Sequence, residues 1–246
     1  MIKPSGDLLF FVTSSLLVHY LFELAFASVI MARFYELHGV KFMQQQILTM
    51  LTMQDEMNTK VHPEWRQQGF EWHRAIWVEL AEMLDHYGWK WWKHQKPDIE
   101  QVHLELIDIF HFGLSARLVS GQAVESIAQD IEAELGQAEK QASFAETIEV
   151  MVANTLASKN FDVKTFAGLM ELTELSFDEL FRHYVGKNVL NFFRQDHGYK
   201  TGEYIKVWNG KEDNEVLMDV LRVTDANSEA FKDDVYAGLK AQYPAS

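Results

Sequence analysis

The chain reads as an all-α protein, a multi-helix bundle. Three observations lead there. Apolar residues recur at helical spacing along most of its 246 residues, no stretch alternates apolar and polar as a half-buried strand does, and there are only four prolines to interrupt helices. Hydrophobic residues make up 48% of the chain, enough for a substantial core. Cysteine is absent, which excludes a disulfide scaffold and thiolate metal sites. A formal net charge of −14 makes the chain a poor match for a nucleic-acid backbone. A nucleotide remains possible where metal ions and local cations offset the field.

Residues 1–42 stand apart as a hydrophobic N-terminal extension. From Leu8 to Met31 the run LLFFVTSSLLVHYLFELAFASVIM is long enough to span a bilayer, yet it carries His19 and Glu23, and a mid-membrane Glu is costly. No A-x-A-like cleavage site follows it cleanly. The run has three readings: a membrane anchor, a buried core helix, or translated sequence ahead of a start at Met43. The last is preferred, with a cytoplasmic protein as the expected outcome and anchoring through residues 8–31 as the alternative. Residues 43–246 then form one domain.

Within that domain Met43 to Lys60 has Ile47, Leu48, Leu51 and Met57 at helical spacing, and Pro63 and Gly69 punctuate the break after it. Phe70 to Tyr87 is a second helix, halted by Gly88, with Trp72, Ile76, Trp77, Leu80, Met83 and Leu84 on a broad apolar face. Trp89 to Lys96 is a connector rich in tryptophan and lysine. Pro97-Asp98 opens a third helix that runs to Leu118. Ser120 to Lys140 is amphipathic and acidic, and Phe144 to Ala157 and Phe161 to Glu174 read as helices. Ser176 with Glu179 three residues on is a capping-box signature for a helix that runs towards Arg194. The glycines of GYKTGEY and WNGKEDN mark loops, Glu215 to Val223 a short helix, and Asp225 to Ser246 a polar periphery.

Two acidic pairs carry the strongest chemical signal: Glu79 with Glu82, and Glu105 with Asp108. An i,i+3 spacing puts both acids of a pair on one helix face. Each pair lies among apolar residues, Glu79 between Val78 and Leu80, Asp108 between Ile107 and Ile109. Four acids brought together this way repel one another and need either bases or a cation. A hard divalent ion held by oxygen ligands, most often Mg²⁺ with a phosphate substrate, is the usual solution.

Three other groups add to this. Gln54 and Asn58, at i,i+4, offer donors and acceptors that suit the acceptor–donor–acceptor edge of a pyrimidine, although an exposed polar face is the simpler reading of the spacing alone. Lys187, Asn191 and Arg194 share one face at i, i+4 and i+7, with Tyr199 and Lys200 in the loop beyond. They make either a phosphate clamp or a solvated amphipathic face. In GWKWWKHQK a tryptophan stacks on a base beside a lysine, or three core tryptophans sit among snorkelling lysines. His73, His86, His94, His103 and His111 form no i,i+4 pair with a shared acid and read as structural or surface groups.

Taken together, LTMQDEMNTKVHPEW, EWHRAIWVELAEMLDHYGWKWWK, PDIEQVHLELIDIFHF, YVGKNVLNFFRQDHGYKTGEY and WNGKEDN resemble, in order, the dimeric all-α dUTPases, relatives of the MazG-type pyrophosphohydrolases. The likeness covers roughly residues 43 to 221. It implies a metal-dependent dUTP diphosphatase that forms a homodimer and also accepts dUDP. It implies Mg²⁺ on Glu79, Glu82, Glu105 and Asp108, and uracil on Gln54 and Asn58 with Trp91 as a stacking or packing partner. The phosphates fall to Lys187, Asn191, Arg194, Tyr199 and Lys200. A dCTP or broader deoxynucleotide pyrophosphohydrolase on the same fold is the nearest alternative, because the amide pair serves uracil or cytosine according to its orientation. A non-catalytic, membrane-tethered helical scaffold is the alternative of another class, and the intact acidic and basic segments argue against it.

Overall fold

The computed structural model describes residues 43–225, 228 and 230–244. The N-terminal run from Leu8 to Met31 therefore lies outside the described residues. The chain divides into two compact units, Met1–Gln45 and Gln46–Ser246. Among the described residues no helix is long and apolar enough to cross a membrane.

The described residues are mostly helical, with one minimal two-stranded hairpin, in agreement with the all-α expectation. Helix α1 covers residues 43–61. It is followed by α2 (Trp72–Tyr87), α3 (Ile99–Leu118), α4 (Val124–Leu135), α5 (Phe144–Ser158), α6 (Val163–Leu172), α7 (Phe177–Asp196), α8 (Asp213–Val223) and α9 (Phe231–Gln242).

The central pair is α2 and α3, which pack along each other, and α3 also receives α7. Their ends are tied where the Asp98 amide donates to the His86 carbonyl at 3.0 Å, and the Asp98 side chain caps α3 by accepting from the Gln101 amide. This fixes the register in which the two acidic pairs face each other. Ile76, Leu80 and Met83 of α2 bury against an α3 that is apolar nearly all round, with Leu106, Ile109, Phe110 and Leu114 fully buried. Gly113 allows the close approach of the segment before α6, since a Cβ there would stand 2.5 Å from the Phe161 ring. Helix α7 opens with the expected capping box, Ser176 with Glu179.

Two segments differ from the sequence reading. WNGKEDN is not simply a loop: Val207–Trp208 and Lys211–Glu212 pair antiparallel as a minimal hairpin. Its turn residues Asn209 and Gly210 both have positive φ, as the two-residue turn matched to strand twist requires. The second difference is α9, within the stretch read as a polar periphery. It buries Phe231, Val235 and Leu239, one apolar residue per turn, against α7 and α8.

Candidate active site

A cavity of about 910 Å³ opens between α1, α2, α3, α7 and the start of α8. One wall is acidic. Glu79, Glu105 and Asp108 each turn a carboxylate oxygen towards the others, and the three atoms lie within 4.8 Å of one another. Glu82, one turn along α2, lines the same cavity outside this tight cluster. Burial, a hydrogen bond to Glu105 and the charges of Asp108, Glu105 and Glu82 push the Glu79 carboxyl up to about 8. Burial likewise pushes Glu105 up to about 7, against the pull of its hydrogen bond with Glu79 and with Asp108 and Glu82 adding repulsion. His86 stands 3.4 Å from Glu105. An all-oxygen donor set that holds protons this tightly fits a hard divalent cation, which would neutralise it in place of the protons.

The raised pKa values give a signed prediction. In the folded protein Glu79 and Glu105 hold protons that the unfolded chain releases near 4.5. Their contribution to stability is therefore complete below that value and is lost as pH rises through 7 to 8. With EDTA present, the melting temperature should fall between roughly pH 5 and pH 8. Mg²⁺ should raise it by on the order of 5 °C at the alkaline end and much less at the acid end. Scanning calorimetry at both pH values, with and without Mg²⁺, measures this directly.

A basic group from α7 lines the same cavity. Lys187, only 5% exposed, donates from Nζ to Asp108 Oδ2 at 2.9 Å and to Asn214 Oδ1 at 3.1 Å. Arg194 donates from Nε and Nη2 to the two oxygens of Asp213 at 2.8 and 2.9 Å, and from Nη1 to Asn191 Oδ1 at 3.0 Å. Tyr204 adds a hydroxyl bond to Asp213 at 2.9 Å. Asp213 is fully buried at the first residue of α8, where the helix dipole favours an anion. Lys187 is thus paired directly with Asp108 of the carboxylate cluster, whereas Arg194 is held by Asp213, outside the cluster.

The floor is polar and aromatic. Gln54 and Asn58 of α1 are buried and joined by a 3.0 Å bond from Gln54 Nε2 to Asn58 Oδ1. Trp65, Phe70, Trp72 and Phe112 also line the cavity, with Trp72 stacked on Phe112. Carboxylates, cations, amides and aromatic faces on one cavity match the parts of a pyrimidine nucleotide with a metal on its phosphates.

A family model described as dUTPase matches residues 46–199. The chain belongs to the dUTPase family. It is accordingly a dUTP diphosphatase, an enzyme with a nucleotide substrate. A search of curated proteins finds no match.

Most of the residues assigned from sequence stand around this dUTPase cavity: Gln54, Asn58, Glu79, Glu82, Glu105, Asp108, Lys187, Asn191, Arg194 and Tyr199. Two do not. Trp91 is 89% exposed and sits with Trp89 and Trp92 in a separate shallow depression formed by the connector. Trp65 and Trp72 are the tryptophans that line the dUTPase cavity. Lys200 is not among the lining residues and donates to the Val61 carbonyl at 3.2 Å. Lys206, at the rim and paired with Glu212, is a cation that the sequence reading passed over.

The histidines need a correction. His86 and His111 line the cavity, so neither is simply a structural or surface group. Asp213 and Asn214, which hold Arg194 and Lys187, were given no role from the sequence, although they end the WNGKEDN segment beyond the matched span.

Proposed function

We propose that the cavity converts dUTP, and also dUDP, to dUMP by attack of water on the α-phosphorus, with Mg²⁺ held by Glu79, Glu105 and Asp108 and with Glu82 alongside. The observation that carries this reading is the gathering of three clustered carboxylates, Lys187, Arg194 and the Gln54–Asn58 amide pair around one cavity. A divalent ion bound there would neutralise phosphate oxygens and make water more acidic.

The chain's own groups do the rest. Glu79, half-buried in the cluster, takes the proton of the attacking water. Lys187 and Arg194 keep N–H groups free of their acid partners and direct them at the phosphates, which fixes the line of attack. The bond from phosphorus to the bridging oxygen breaks, and pyrophosphate leaves from dUTP or phosphate from dUDP. Gln54 and Asn58 hold the base edge, and Trp72 and Phe112 face its rings. A homodimer accompanies this reading. Its support is the family match, and Trp77 and Val78 of α2 and the clustered Trp89, Trp91 and Trp92 of the connector are exposed apolar side chains.

The test is turnover of dUTP, dUDP, dCTP, dTTP and UTP, each with Mg²⁺ and with EDTA. Mg²⁺-dependent dUMP from dUTP and dUDP is the expected result. Full activity in EDTA would remove the metal from the reading, and preference for dCTP would remove uracil.

A further inference from the structure

Helix α9 begins well after residue 199, where the match to the family model ends. It is nonetheless built tightly into the fold. Gly238 lets it lie against α8, since a Cβ there would stand 2.6 Å from Val220 Cγ1. Tyr236 donates from its hydroxyl to Asp196 Oδ2, at the end of α7, at 2.9 Å. Tyr243 caps α9, and its ring joins Phe193, His197, Tyr204 and Trp208 in one aromatic group, with centroids 4.8 to 5.6 Å away.

This group holds the segment between α7 and α8, which brings Tyr199 to the cavity. The peptide groups of Ile205 are both engaged by aromatic side chains. Its amide donates to the Tyr243 hydroxyl at 3.1 Å, and its carbonyl accepts from Trp208 Nε1 at 2.6 Å. The next carbonyl, of Lys206, accepts from the Asp213 amide at 2.9 Å. A segment without an α-helical ladder depends on such bonds for its position. Tyr243 also stacks on Tyr204, with ring planes 20° apart. Tyr204 donates to Asp213 Oδ2, the same oxygen that accepts from Arg194 Nε. Its ring meets Tyr199 in a T-shaped contact, and the Arg194 guanidinium stands 5.9 Å from the Tyr199 ring centroid. A line of contacts thus runs from the end of α9 through Tyr204 to Arg194 and Tyr199, which both line the cavity.

We propose that Tyr243 is a positioning residue for phosphate binding: it fixes Tyr204, Tyr204 fixes the Asp213 carboxylate, and that carboxylate sets the plane of the Arg194 guanidinium. A guanidinium presents its N–H groups as a flat fork, so a turn of its plane misdirects every donor left for the phosphates. The two bonds from Arg194 fix the fork relative to the carboxylate. The Tyr204 hydroxyl fixes the carboxylate in turn, and it stays in line only while its ring is held. Tyr243 touches no substrate, yet it gives α9 a part in substrate binding besides its cover of α7 and α8. The inference rests on the phosphate-binding reading given above.

The test uses the full chain and two inhibitors of Mg²⁺-supported dUTP turnover. Pyrophosphate reports the phosphate end of the cavity, and deoxyuridine reports the base end. Tyr243→Ala should raise the KM for dUTP and the inhibition constant of pyrophosphate ~10-fold, with a smaller change in kcat and none in the deoxyuridine constant. Tyr243→Phe keeps the stacked ring and loses only the Ile205 bond, so its pyrophosphate constant should rise only ~3-fold. Val235→Ala, on the buried face of the same helix, should lower the melting temperature and leave both constants at the parent's values. In a Tyr204→Phe background, where the link to Asp213 is already cut, Tyr243→Ala should add little. The role of Tyr243 is overturned if pyrophosphate inhibition is unchanged in Tyr243→Ala, is weakened equally in Val235→Ala, or is weakened by the full factor in the Tyr204→Phe background. Should the alanine variant not fold, Tyr243→Phe decides alone, and a pyrophosphate constant equal to the parent's overturns the role. A parent that turns over no nucleotide overturns the functional reading itself, and the positioning role with it.

Discussion

Asp108→Asn should lower dUTP turnover by ~10³-fold or more while leaving the helical content unchanged. The substitution keeps size and one oxygen, so packing around Ile107 and Ile109 is preserved. It removes the charge from one of three carboxylates whose ligand atoms lie within 4.8 Å, and it removes the ionic partner of Lys187 at 2.9 Å. Both losses act on the same step, because a weakened cation site and a displaced lysine each misplace the phosphates. Glu82→Gln provides the contrast. Glu82 lines the cavity outside the tight cluster, so its loss should cost less, ~10-fold. Steady-state kinetics and circular dichroism on both variants measure this. Equal losses in the two would mean that all four acids act as one set, and unaltered turnover in Asp108→Asn would remove the carboxylate cluster from catalysis.

The acidic pairs were legible because helical spacing is a local property: i,i+3 acids among apolar neighbours share a face whatever the rest of the chain does. The same holds for Lys187, Asn191 and Arg194 on α7. Convergence of α2 and α3 was legible only as a consequence of the short connector between them. What the spacing could not carry is which acid steps outside the cluster, since Glu82 and Glu79 differ by less than a helical turn in sequence and by their depth in the fold. His111 was hidden for a different reason. A lone histidine on an apolar helix face has no periodic partner, and its place at the cavity is tied to Gln54, which reaches its ring through tertiary packing. Trp91 shows the converse. An aromatic residue in a tryptophan-rich segment invites a stacking role, but the connector turns it outwards and Trp65 and Trp72 line the cavity. Helix α9 was legible in principle: Phe231, Val235 and Leu239 recur at i,i+4, but the charged residues between them lower the average hydrophobicity of the segment.

Asp213→Ala should destabilise the protein by ~3–5 kcal/mol and lower its melting temperature by ~10 °C. Asp213 has no exposed surface and receives two bonds from Arg194 and one from Tyr204. Burial alone would push its carboxyl up, yet the hydrogen bonds and charge of Arg194 outweigh it and hold the group below its ordinary value. Removal of the carboxylate leaves a guanidinium, only 13% exposed in its side chain, with its positive charge unpaired. The sign with pH follows: the stability Asp213 supplies is present above its unfolded pKa of 3.8 and is lost as pH falls through its lower folded value. Parent and variant should therefore converge in acid and diverge near neutrality. Adding Arg194→Met to the same chain separates structure from catalysis. The second change removes the stranded charge and should restore a large part of the stability, since an apolar replacement for a buried pair is often close to neutral. It cannot restore phosphate binding, so dUTP turnover should remain low in the double variant. Chemical denaturation and kinetics on the two single variants and the double variant close the cycle. If stability and turnover recover together, Arg194 serves the fold alone and the phosphate clamp rests on Lys187.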